Sequence, residues 1–181
     1  MNRPKAIGTA AETAVVRAAR RLGFPNAERR ALRGRHDVGD ILLCPGVVLE
    51  VKGGQAARSA SDGQVSAWLA ETERERVNAH AAAAVLVTQR AGVGEPNAER
   101  WTAHLRLGQM AGLCGWPLSG PVDTAPLRLS LADALSVLRS AGYGEPLPGD
   151  AHTCDGGWLD RDAAIACPIH KPHLTHVSRK D

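Results

Sequence analysis

Three side chains in the first third of the chain could do chemistry together. Asp40 closes the run Asp37-Val38-Gly39-Asp40, and Glu50-Val51-Lys52 follows ten residues later. Between them lie an apolar run (Ile41, Leu42, Leu43), a Pro45-Gly46 turn signal and a second, β-branched run from Val47 to Val51. This is the pattern of a β-hairpin. Strand residues two apart point to one face, so Glu50 and Lys52 project together, and Asp40 at the start of the partner strand lies beside them. Two carboxylates can hold a divalent cation through oxygen while an ammonium group sits next to an attacking water. The chemistry implied is hydrolysis of a phosphodiester. Taken alone, Glu50 and Lys52 also describe an exposed cross-face ion pair.

The elements that must position these residues are legible on either side. Gly8-Thr9 opens a helix expected over about 10–22, ended by Gly23 and Pro25. Glu12 lies one turn before Val15 and Val16, which directs it inward. A first strand is expected over 27–33, with the hairpin strands at 38–43 and 47–52. Gly53-Gly54 and the Ser/Ala-rich stretch to Asp62 read as a flexible connection. A helix over 62–82 would carry Trp68 and Leu69 on one face and turn the charged run Glu71–Arg76 to solvent. A buried strand follows at 84–88, then a Gly/Pro loop. Residues 101–114 fit a strand or a helix, and a last helix spans about 129–140 from Ser130 to the Gly142 and Gly144 stops. The order α-β-β-β-α-β-α predicts an α/β fold, a mixed central sheet flanked by helices. The expected boundaries are a domain at 1–143, a linker at 144–151 and a small Cys/His module at 152–181. Residues 91–128 carry no functional signal, and Trp101 and Trp116 read as core or dimer surface.

Composition sets outer limits. A chain of 181 residues suffices for one domain with a sizeable core and a small appendage. The sequence has no run of eighteen apolar residues, and its N-terminus has no apolar signal-peptide core, so the expectation is a cytoplasmic protein away from membranes. The net charge of +3 is compatible with a polyanionic partner without requiring one. Its distribution is more telling: Arg17, Arg20, Arg21, Arg29, Arg30, Arg33 and Arg35 all precede the carboxylate cluster. The helix arginines fit a solvated basic face, whereas Arg29, Arg30, Arg33 and Arg35 are placed to contact phosphates if the neighbouring site acts on DNA. Strand alternation turns one of Arg29 and Arg30 away.

With the helix carboxylate added, the constellation is Glu12, Asp37-x-x-Asp40 and Glu50-x-Lys52. It resembles the PD-(D/E)xK nuclease superfamily, and more specifically the Holliday-junction resolvases of archaea and the related endonucleases of phages. The likeness rests on Gly8-x-x-x-Glu12 opening the first helix, Ala27-Glu28-Arg29-Arg30 as an arginine-bearing strand, Asp40, and the Glu50-Val51-Lys52 strand, and it covers about residues 6–90. The resemblance implies a restriction-endonuclease-like core, one or two Mg²⁺ (or Mn²⁺) ions on Asp40 and Glu50 with the Val51 carbonyl as a further ligand, and Lys52 orienting the attacking water. It gives Glu12 a metal-bound water or a second metal. It also implies a homodimer and branched DNA as substrate. Asp37 is either a turn-forming residue beside Gly39 or an extra ligand. Gln64, one turn before Trp68, either reaches the site or lies on the surface. Two other readings stay open: a site-specific or repair nuclease of the same superfamily, and a DNA-binding module without catalysis.

The cysteines are of two kinds. Cys44 and Cys114 stand alone among apolar neighbours and read as small core residues. His152-Thr-Cys154 and Cys167-Pro-Ile-His170-Lys-Pro-His173 have the ligand types and tight-turn spacing of a tetrahedral zinc site. Cys154, Cys167, His170 and either His152 or His173 would supply four ligands, and a segment this short would need the metal to hold it together. A histidine-bearing tail without metal is the alternative.

Overall fold

The computed structural model of the chain describes residues 3–30, 38–116, 118–147, 154 and 156–167. Asp37, Arg33, Arg35, His152, His170 and His173 lie outside the described residues. The chain divides into two compact units, Met1–Glu145 and Pro146–Asp181.

In the first unit, α1 (Arg3–Arg21) leads to β1 (Glu28–Arg29), β2 (Ile41–Cys44) and β3 (Val47–Lys52). Two helices follow, α2 (Gly54–Arg58) and α3 (Asp62–Asn78), then β4 (Ala83–Thr88). After a 3₁₀ turn at Glu95–Arg100 come β5 (Thr102–Arg106), α4 (Leu107–Leu113), β6 (Pro126–Ser130) and α5 (Leu131–Ser140). The six strands form one sheet in sequence order, antiparallel at every step except the parallel pair β3–β4. The expected mixed sheet with flanking helices is therefore present. Pro126 is tolerated because β6 is an edge strand.

The two faces of the sheet differ in chemistry. Val47, Leu49 and Val51, Ala83, Val85 and Val87, and Ala103 and Leu105 point to a core shared with α1 and α5. Small side chains on α1 (Ala11, Ala14, Ala18, Ala19) let that helix lie close to the strands. At Gly53 an added Cβ would stand 2.6 Å from the Ala11 Cβ, so only glycine permits this approach. The opposite face alternates with the first: Glu50 and Lys52 share it with Leu86, Thr88, Thr102 and His104, by the cross-strand register.

Several elements differ from expectation. α1 begins at Arg3, ahead of Gly8, since a lone glycine costs a helix only about 1 kcal/mol and Ala/Lys-rich flanks offset it. The stretch after Gly53 holds the short helix α2 in place of a flexible connection, buried at Gly54 and Ala57. The ambiguous segment 101–114 is both things in turn, strand β5 and then helix α4. The run Glu71–Arg76 does not face solvent as a block: Thr72 and Glu75 are buried with Leu69, one helical stripe. Cys44 packs at the margin of the core, but Cys114 is exposed. Trp101 is fully buried and Trp116 is 54% exposed, so only the first is a core residue.

The second unit contains a two-stranded ribbon, β7 (Trp158–Asp160) and β8 (Ile165–Ala166). Cys167 is buried there, its N–H donating to the Gly157 carbonyl, and Cys154 is half-buried. The imidazoles that would complete a zinc site lie outside the described residues.

Candidate active site

The hairpin brings Asp40, Glu50 and Lys52 together. Asp40 enters β2 through Gly39, whose positive φ of 86° and 3.3 Å approach of a would-be Cβ to the Leu49 carbonyl leave little room for a side chain. One Asp40 oxygen accepts the Val51 N–H at 2.9 Å, which pins the carboxyl to the middle of the Glu-x-Lys strand. Glu50 and Lys52 project from β3 on one face, joined at 2.6 Å between Oε1 and Nζ. Lys52 also reaches Glu71 of α3 at 3.2 Å.

The electrostatics follow from crowding carboxyls in a partly dry place. Burial pushes Asp40 up to about 7, and the charges of Glu50 and Glu12 push the same way against the Val51 N–H. Burial likewise pushes Glu50 up to about 7; Lys52 opposes this, and the neighbouring charge of Glu75 adds to it. The two carboxyls are close enough that each feels the other, and burial is the larger cause of the rise in both. For Lys52, burial lowers the ammonium's pKa, but Glu50 and Glu71 outweigh it and keep the charge on nitrogen. A pair of like carboxyls raised towards neutrality beside a fixed ammonium is an arrangement that stabilises when a cation arrives.

The remaining expected residues fall at different places. Glu12 is near enough to raise Asp40, and its carboxylate is held by Arg29 at 2.6 Å. Arg29 also contacts Thr9, so this arginine is an anchor for Glu12 rather than an unengaged phosphate ligand. Arg30 turns the other way, as alternation requires; its guanidinium donates to the Val38 carbonyl at 2.7 Å and its N–H to the Asp40 carbonyl at 2.8 Å. It holds the entry to Asp40. On α1, Arg20 donates to the Ala27 carbonyl and Arg21 pairs with Glu99. Gln64 is exposed in the first turn of α3, where its N–H meets the capping Ser61.

No family model, curated protein or solved structure matches the chain.

Two carboxylates of the run expected to face solvent, Glu71 and Glu75, border the site instead. Their signal was present: Trp68, Glu71 and Glu75 are spaced at one helical turn, on a helix whose Leu69, Thr72 and Glu75 are buried. Glu71 pairs with Lys52 at 3.2 Å, and the charge of Glu75, one turn further on, raises Glu50. Among the described residues, no group of three His, Cys, Asp or Glu stands ready-made around a metal ion. The donor set nevertheless suits a small hard cation. Mg²⁺ commonly takes one or two carboxylates and keeps waters for the rest, and Asp40 and Glu50 offer adjacent carboxyl oxygens.

Proposed function

We propose that this protein is a divalent-cation-dependent DNA endonuclease, hydrolysing phosphodiesters with Asp40, Glu50 and Lys52, and that its substrate is branched DNA. One observation carries the reading: on adjacent antiparallel strands, two carboxyls raised to about 7 meet beside a lysine held in its charged form. Glu12 coming from the preceding helix, and the strand order around the hairpin, support a restriction-endonuclease-like core.

Asp40 and Glu50 would hold Mg²⁺ or Mn²⁺, which when bound supplies charge stabilisation to the phosphoryl oxygens and a more acidic water. Lys52 places a positive charge beside the same two carboxyls, where it orients the attacking water and offsets charge developing at phosphorus. The Val51 N–H fixes Asp40, and Arg29 fixes Glu12, so both carboxylates are directed before substrate arrives. The exposed Arg58 and Arg128 on the same face would supply sequence-independent attraction to the DNA backbone. A homodimer would allow paired cuts across a symmetric junction.

The test is cleavage of a synthetic four-way junction, a nicked duplex and a linear duplex, with and without Mg²⁺. Paired nicks on the junction, lost by at least about 100-fold in Glu50→Ala and Lys52→Ala, are the expected result. Equal cutting of linear duplex would move the assignment to a site-specific or repair nuclease. Binding without cleavage in Mg²⁺ or Mn²⁺ would leave a DNA-binding module.

A further inference from the structure

The buried polar and charged side chains among the described residues are Glu50, Thr72, Glu75, Thr88, Gln89, Thr102 and His104. Four of them, Thr88, Gln89, Thr102 and His104, line one cavity of about 380 Å³ between the sheet and the α2–α3 segment. Folding does not require such a concentration, since buried polar groups cost free energy unless they are satisfied. The cavity adjoins the candidate active site. Lys52 is paired with Thr88 in the β3–β4 register, and Thr88 with Thr102 in the β4–β5 register, so all three share one row and one face. Gln89 fastens this margin: its N–H donates to the Lys52 carbonyl and its Oε1 accepts the Gly54 N–H at 2.8 Å.

The lining has three zones. Its floor is the Thr88–His104 pair, 3.0 Å apart, with Thr102 opposite Thr88 in the β4–β5 register. Burial, with the charge of Arg128, pulls His104 down to about 4, so the ring is neutral near pH 7, with Nε2 engaged by the Thr88 hydroxyl. The walls are apolar, with Ala57, Val65 and Pro126. The charged residues of the lining are exposed: two arginines, Arg58 from α2 and Arg128 from β6, and one carboxylate, Asp62 of α3, which leaves a net positive charge at the mouth. An apolar slot with donor–acceptor groups at its base and guanidinium groups at its mouth is complementary to a nucleobase that carries a phosphate. Inorganic phosphate alone would leave the walls unused, and an uncharged nucleoside would leave the arginines unused.

We infer that this cavity is a nucleotide subsite, which takes a nucleobase against Thr88, Thr102 and His104 with its 5′-phosphate at Arg58 and Arg128. Resting on the endonuclease reading, the occupant is a nucleotide of the substrate strand, unstacked beside the cleaved bond. Branched DNA offers unstacked bases at low cost, whereas a continuous duplex must first break a stack.

Chemical-shift titration of the full-length protein with dAMP and dTMP in EDTA tests the subsite without any cleavage. Saturable shifts of the His104 ring and the Thr102 amide are expected, with a dissociation constant on the order of 1 mM. Arg58→Gln/Arg128→Gln should weaken binding about 10-fold, and Ser66→Trp, an exposed helix position that fills the slot, should remove it. Inorganic phosphate binding as tightly as the nucleotides would overturn the proposal, as would an unchanged affinity in Ser66→Trp with the fold intact by the remaining amide spectrum. Failure of nuclease activity leaves this titration readable, and junction cleavage without nucleotide binding would discard the subsite while keeping the nuclease.

Discussion

At the scale of residues, the site is governed by a competition between burial and pairing. Asp40 and Glu50 have ordinary values near 3.8 and 4.5, and the folded protein raises both to about 7. The native state therefore binds protons that the unfolded state has released between these values. The resulting stabilisation is fully present below about pH 4 and fades as pH rises through 7. His104 acts in the opposite sense: its value falls from 6.5 to about 4, so its contribution is present above 6.5 and lost as pH falls through 4. In EDTA the cation-free protein should become less stable from pH 5 to pH 8, because two carboxyls outweigh one imidazole. Asp40→Asn/Glu50→Gln should reverse that slope and raise the melting temperature at pH 8, while cleavage is lost. Thermal melts of both proteins across this range check the sign, and a wild-type slope that rises with pH would contradict it.

At the scale of elements, the approach of α1 to the end of β3 brings Glu12 within electrostatic reach of Asp40. Its tightest point is Ala11 against Gly53, immediately after Lys52. Gly53→Ala would force the helix outward, at a cost of about 1–3 kcal/mol from overpacking. The shift should lower cleavage more than it lowers DNA binding, because it moves Glu12 and not the outer basic surface. Ala11→Gly in the same chain should restore part of both stability and rate, and a double variant no better than Gly53→Ala would show that the contact is not what matters. These couplings were hard to read from sequence for a physical reason. The hairpin is local, so turn chemistry and alternation disclosed β2, β3 and the Asp40–Glu50–Lys52 set. The Glu71 contact depends on how α3 rolls over the sheet. A charged run such as Glu71–Arg76 looks like a solvated face until that roll is known.

At the scale of the whole molecule, the two units rest on different foundations. The core of the first runs from Ala11 to Leu138 and is apolar throughout. In the second, the buried apolar residues among those described are Ala166 and Cys167. A metal bound by Cys154, Cys167 and the neighbouring histidines would add folding free energy to this unit. Purified protein should carry about one zinc per chain, and a chelator should unfold the Pro146–Asp181 unit while the first unit's amides stay protected from exchange. Zinc content well below that would sink this expectation. A chain ending at Glu145 should still fold and cut, since every residue of the candidate active site lies before that point.

The sequence by itself determined the α/β class, the hairpin and the three residues at its centre, because each follows from short-range alternation and turn chemistry. It also marked Glu12, through the position of a carboxylate one turn before buried valines. Tertiary structure alone decided what those residues meet. It assigned Arg29 to Glu12 and Arg30 to the Asp40 entry, brought Glu71 and Glu75 to the back of the site, and gathered Thr88, Thr102 and His104 into a cavity. Those contacts join side chains far apart in the chain, and their geometry is fixed only when helices pack on the sheet and exclude water from one face.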